Sequence, residues 1–277
     1  MVISAQDINK LRQQTGAGMM DCKKALLEAG GDFGKAIELL RKRGQKVSAA
    51  RADRATSEGI VFVKTNDAHN YGVILALGCE TDFVAKNEMF QQLGQAILKV
   101  AFTHKPTTHE ALLTLAVEGG LTVQEKITEL VGKIGEKVAI TAYTTLSSEA
   151  VVSYVHTSNK LGVLVGLEGS QDPQVIEAGK DVAMQVAAMN PIAVNQSGIE
   201  ASVVANELAI AKEQARNEGK PEAMLDKIAQ GRLNKFFKEN TLLEQPFVKN
   251  NGLTITQYLA SIAPGLTVVD FKRVSIV

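Results

Sequence analysis

No stretch of the 277-residue chain stays apolar for about 18 positions, so no segment is expected to cross a bilayer as a helix. The first residues, Met1-Val2-Ile3-Ser4-Ala5-Gln6-Asp7, lack the basic start and long apolar stretch of a secretory signal, and the expected location is cytoplasmic. Cysteine is scarce. Cys22 and Cys79 lie too far apart for a zinc-binding spacing and are expected to be reduced thiols, with an intersubunit disulfide left open. Nor is there an excess of charge of either sign: 30 Lys plus Arg stand against 30 Asp plus Glu. Affinity built on phosphate neutralisation normally needs a basic protein, so no specific nucleic-acid binding is expected.

Catalytic signatures are missing too. There is no G-x-x-x-x-G-K-[ST] run, and Thr15-Gly16-Ala17-Gly18 lacks the third glycine of G-x-G-x-x-G and sits between helices rather than after a strand. The histidines His69, His104, His109 and His156 are scattered, and neither a G-x-S-x-G elbow nor an H-E-x-x-H pair occurs. A site assembled from distant residues stays open, but the expectation is a non-enzymatic protein without cofactor or metal.

The length suits about two domains with a small accessory module, and 45% hydrophobic with 22% charged residues is ordinary for a folded chain. Residues 1–45 read as three short helices. Ser4 caps the first, Thr15–Gly18 breaks it, Met19–Ala29 form the second, and Asp32 caps a third that Gly44 stops. So small a module buries little core and suits docking better than catalysis. Residues 46–57 form a basic helical linker. The cations running from Arg41 to Arg54 make it either a solvated face or an electrostatic contact to an acidic partner or RNA.

From residue 58 the pattern turns to strands: Ile60–Val63 and Val73–Leu77 around the turn-forming Asn66–Asn70, then helical periodicity over Glu88–Phe102, Glu110–Glu118 and Val123–Gly135. The pattern then repeats. Val151–Val155 and Leu161–Leu167 match the earlier strands, and Tyr71-Gly72-Val73 maps onto Leu161-Gly162-Val163 at an offset of 90 residues, which also sets Asp82 opposite Asp172. The reading is an α+β fold with two duplicated β-β-α subdomains, at 58–145 and 146–198. Phe83 follows the first aspartate and Pro173 the second, so the copies differ in that loop. Residues 199–240 read as an antiparallel helical hairpin turned at Gly219-Lys220-Pro221, which should pack on the body or on a second copy as a homodimer. Residues 241–277 complete the second subdomain with a short helix and a closing strand over Thr267–Val277.

Two stretches are distinctive: Leu11-Arg12 with Thr15-Gly16-Ala17-Gly18-Met19-Met20-Asp21-Cys22-Lys23-Lys24-Ala25-Leu26, and Glu80-Thr81-Asp82-Phe83-Val84-Ala85-Lys86-Asn87. In order and separation they resemble the elongation factor Ts family, with further similarity at Lys133-Ile134-Gly135-Glu136, His156 and Gln245-Pro246-Phe247-Val248. The resemblance covers nearly the whole chain. It implies a UBA-like N-terminal module, a duplicated core and a protruding hairpin. It also implies a guanine-nucleotide exchange factor that binds the nucleotide domain of elongation factor Tu and drives GDP off it. In that family the phenylalanine of the Thr-Asp-Phe-Val loop wedges between two partner histidines and dislocates Mg²⁺. Carried over, Asp82, Phe83, Val84 and Ala85 form this element, with Lys23, Met19, Met20, Ile134, Gly135 and His156 as supporting contacts. Without the resemblance Phe83 would read as core, Lys23 as solvated, Ile134 as helix core and His156 as a strand-end residue. Adjacent Met19 and Met20 should split between core and surface. The sequence ends at Val277 after the closing strand, so no counterpart of the extra C-terminal helix that some relatives place on the partner is expected.

Overall fold

The computed structural model describes residues 3–170 and 173–276. Three helices open the chain: α1 (Ala5–Thr15), α2 (Met19–Glu28) and α3 (Phe33–Ala50). Ser4 and Asp7 form a capping box on α1, and Gly16, in the left-handed region at φ 66°, closes it. Gly30 and Gly31, both at positive φ, turn the chain into the Asp32 cap of α3. Leu11, Cys22, Ala25, Leu26 and Ala36 fill this module's core. Gly44 does not stop α3. The helix continues to Ala50, and Gly44 is buried within it.

The first core unit holds β1 (Glu58–Thr65), β2 (Tyr71–Cys79), the single turn α4 (Asp82–Ala85), α5 (Glu88–His104), α6 (His109–Thr114), α7 (Val123–Ile134) and β3 (Val138–Ser147). Helix α6 ends earlier than its periodicity suggests, and β3 is a strand that the sequence pattern did not assign. On α7, a Cβ at Gly132 would stand 2.6 Å from the Gly44 Cα. The bare Gly132 lets α7 cross α3 at backbone contact at Gly44, which docks the N-terminal module on the core.

The second unit holds β4 (Ala150–Val155), β5 (Leu161–Glu168), α8 (Val175–Met189), the hairpin α9 (Ala201–Asn217) and α10 (Glu222–Asn240), a ribbon of β6 (Pro246–Phe247) and β7 (Asn250–Thr254), α11 (Ile255–Ile262) and β8 (Thr267–Ser275). The sheets run β1-β2-β3 and β4-β5-β8, all neighbours antiparallel. Each β-β-α copy is therefore closed by a third strand. In β2 the alternate residues Val73, Leu75 and Leu77 face the α5–α7 side, while Ile74 and Ala76 face the other sheet. In β5, Val163, Val165 and Leu167 face α8 and α11 while Leu164 meets the first sheet. The core is thus four layers, helix–sheet–sheet–helix, with both central strands buried on two faces.

The duplication holds in fine detail. A register shift falls between Ala76 and Leu77 in one sheet and between Gly166 and Leu167 in the other, again 90 residues apart. His69 and Asn159, both left-handed turn residues, reach across reciprocally: the Val151 N–H donates to the His69 carbonyl at 2.5 Å, and the Val61 N–H to the Asn159 carbonyl at 2.7 Å. Within each sheet the ladder is extended in the same way, Ser148 donating to the Asn70 carbonyl beyond β2–β3 and Ile276 to the Lys160 carbonyl beyond β5–β8. Asp172, the counterpart of Asp82, lies outside the described residues.

The hairpin covers its own seam. Ala211 and Ala215 of α9 and Leu225, Ala229 and Leu233 of α10 are buried, and Lys212–Asp226 and Arg232–Glu218 pair across it. Val203, in the first turn of α9, is exposed.

Candidate functional site

The Phe83 corner begins where β2 ends. Cys79 is buried and donates its thiol hydrogen to the Thr81 carbonyl. Burial and the nearby Glu136 and Glu58 push this thiol up to about 12, so it has no reactive thiolate near neutral pH. Thr81 has extended backbone, and its hydroxyl caps α4 by accepting from the Val84 N–H. With the Asn87 side chain capping α5 immediately afterwards, the four-residue turn is pinned at both ends. Val84 and Ala85 point inward, 5% and 8% exposed. Their spacing leaves Phe83 on the outside, 81% exposed.

Two carboxylates hold this corner, Glu136 reaching in from the end of α7 and Glu80 reaching out from the corner itself. Glu136 accepts from the Thr81 N–H at 3.1 Å and from its hydroxyl at 2.9 Å. Glu80 accepts from the Lys137 N–H at 2.6 Å and from the Arg51 guanidinium at 2.8 Å. These bonds hold the Glu80 carboxyl below the ordinary carboxylate range, the Lys137 N–H first and Arg51 next. Asp82 pairs with Lys86 one turn on at 2.7 Å, which lowers the aspartate and raises the lysine. The result is an apolar ring facing water on a rigid corner beside one partly exposed ion pair.

The remaining expected residues fall in three places. Gly135, at φ 80°, ends α7 and turns the chain into Glu136, so half-buried Ile134 and Gly135 adjoin the Phe83 corner through the Glu136–Thr81 bonds. Met19 and Met20 are both exposed, at 52% and 62%, against the expectation that one would be core. Gly18 starts α2 directly at Met19, and the module's core is filled from α2 by Cys22, Ala25 and Leu26, which leaves both methionines outside its first turn. Met20, exposed Lys23 and exposed Leu27 follow helical spacing on one outer face. His156 is exposed in the β4–β5 turn, where its Nδ1 accepts from the Ser158 N–H. It occupies the position of Asn66 in the first unit, 90 residues earlier. Beside it, Val155 and Asn159 join Ile60 and Phe62 of β1 and Glu88 and Gln91 of α5 around a groove of about 700 Å³.

The family model described as Elongation factor TS matches residues 80–276, and the protein named Elongation factor Ts from Amoebophilus asiaticus is 64% identical over 274 residues, 99% of each chain. The chain belongs to the elongation factor Ts family. Two further members are similar over 274 residues: those of Cytophaga hutchinsonii, 54% identical across 99% of each chain, and Christiangramia forsetii, 49% identical across 99% of this chain and 98% of its own. Within this family member two of the six cations between Arg41 and Arg54 are engaged internally. Arg43 pairs with Glu28 and Arg51 with Glu80, so neither is a free cation for a polyanion. Among the described residues no group of three His, Cys, Asp or Glu side chains could hold a metal ion, and no helix is long and apolar enough to cross a membrane.

Sequence reasoning found the Phe83 stretch and the Lys133–Glu136 stretch but gave Glu80, Glu136, Lys137 and Arg51 no part in the corner. The local signal for them is slight, because the partners are separated by tens of residues and meet only once α7 and α3 are docked.

Proposed function

We propose that this chain is a cytoplasmic guanine-nucleotide exchange factor. It binds the nucleotide domain of elongation factor Tu with GDP bound and promotes GDP release by dislocating Mg²⁺, so that GTP can load. Family membership supports the partner. The observation that carries the mechanism is the exposed Phe83 ring on a corner fixed from both sides. A lone exposed hydrophobe is ordinary on a protein surface, but among the described residues Phe83 is the most exposed of the large apolar side chains, and it stands on a fixed support within the stretch that carries the family resemblance. Asp82 stands beside the wedge with its charge tethered by Lys86. Val84 and Ala85 act from inside, as the footing of the ring. Met19, Met20 and Lys23 on α2, Ile134 and Gly135 at the end of α7, and His156 in the second unit would extend the contact.

Magnitudes restrict how this works. A nucleotide held at nanomolar strength is bound by about 12 kcal/mol, and burying one phenylalanine contributes about 1.5–3 kcal/mol. Phe83 alone cannot evict it. The whole interface must stabilise an altered partner conformation, and Phe83 enforces the difference. By linkage, a factor that weakens nucleotide binding is weakened by nucleotide to the same degree. Proteins accelerate such an exchange by strain in the ternary complex, with no bond made or broken.

Phe83→Ala tests the reading. Because the ring is exposed, unfolding should shift by no more than about 0.5 kcal/mol. Release of fluorescent GDP from elongation factor Tu should slow by about ten- to a hundredfold, the range that one lost aromatic contact supplies. Release at the unsubstituted rate would defeat the assignment of the wedge.

A further inference from the structure

The Phe83 corner does not support itself. Helix α4 is a single turn, too short to be stable by its own hydrogen bonds, and its direction is set by the Thr81 cap. The hydroxyl of Thr81 accepts from the Val84 N–H while donating to the Glu136 carboxylate, which also receives the Thr81 N–H. Glu136 therefore fixes both the rotor of the capping hydroxyl and the backbone plane ahead of Phe83. It stands directly after the left-handed Gly135, so its own aim is set by the end of α7. Charge-assisted bonds of this kind are about twice as strong as neutral ones. They also relay along the chain Glu136–Thr81–Val84.

We propose that Glu136 is a positioning residue for nucleotide exchange: it sets the direction in which Phe83 is presented, without itself being the wedge. This rests on the exchange reading above. Loss of the carboxylate leaves Phe83 exposed and available but lets α4 swing, so the ring arrives misaimed. Glutamine at 136 keeps an acceptor oxygen for the Thr81 hydroxyl and N–H and should restore most of the aim. Alanine cannot.

The test uses the full chain with Glu136→Ala, Glu136→Gln, Phe83→Ala and the Phe83→Ala/Glu136→Ala double variant. In the chain alone, amide hydrogen exchange of the 79–86 peptide should rise by about tenfold or more in Glu136→Ala, which removes both charge-assisted bonds to Thr81. Glu136→Gln, which keeps neutral bonds of about half the strength, should fall between that variant and the unsubstituted chain. With elongation factor Tu, fluorescent GDP release at saturating factor should fall by up to about a hundredfold in Glu136→Ala, with most of the rate recovered in Glu136→Gln. The double variant should be no slower than Phe83→Ala alone, because Glu136 acts through that ring. Additive losses would overturn the proposal, since Glu136 would then act independently of Phe83. Unchanged loop exchange in Glu136→Ala would overturn it without any partner present. If the unsubstituted chain fails to accelerate GDP release at all, the exchange reading falls, and this is visible separately from the loop measurement.

Discussion

At the scale of single residues, the corner that presents Phe83 is an electrostatic construction as much as a packed one. Glu80 is the clearest case, because its carboxylate serves both the Lys137 N–H and Arg51. Its folded value is depressed below 4.5. A depressed carboxylate contributes its full stabilisation above the unfolded value, and loses it as pH falls through the folded value. The order of the corner should therefore be constant from neutrality down to about pH 4.5 and decline below it. Hydrogen exchange of the 79–86 peptide, corrected for intrinsic rates and measured against pH, reads this directly. Glu80→Gln should flatten the acid decline, and an unaltered decline in that variant would remove Glu80 from the account. The sequence made Phe83 legible because an eight-residue stretch is self-announcing. It could not show the corner's supports: Thr81 and Glu136 lie 55 positions apart, and only the length and docking of α7 bring them together.

At the scale of elements, caps and turns were largely written in the chain. Ser4, Asp32, Asn87 and Thr254 each accept a backbone N–H at a helix start. What local pattern could not convey was whether a glycine ends a helix or lets another helix approach. Gly44 reads as a stop yet lies inside α3, whereas Gly132, unremarkable in the pattern, is the one that admits the neighbouring helix. Strand β3 escaped for a related reason: its threonine-rich run is half-buried along much of its length and shows no clean alternation. The crossing yields an asymmetric prediction. A methyl at Gly44 would make ordinary contacts at 3.5 Å, so Gly44→Ala should be neutral or stabilising by up to about 1 kcal/mol through helix propensity. Gly132→Ala drives its methyl to 2.6 Å from backbone and must push α3 away, at about 1–3 kcal/mol. Thermal unfolding of the two variants, with hydrogen exchange over 33–50, separates them. Equal behaviour would mean that the crossing is not the docking point.

At the scale of the whole molecule, the two core units form a single cooperative body. Each sheet's inner face, with Ile74 on one side and Leu164 on the other, would be bare without its neighbour. Residues 1–148 and 149–277, produced as separate chains, should therefore associate when co-expressed and elute together on size exclusion. Either piece folding alone with the thermal stability of the intact chain would contradict this.

The reciprocal fit also dictates how such a chain can vary. A Cβ at Gly72 would strike Leu164 at 2.7 Å, and one at Gly162 would strike Val61 and Val63 at 2.7 Å. Neither collision can be relieved from within the sheet that suffers it. A heavier side chain in one unit must be answered by a lighter one in its twin, so change in this protein is bound to travel in mirrored pairs.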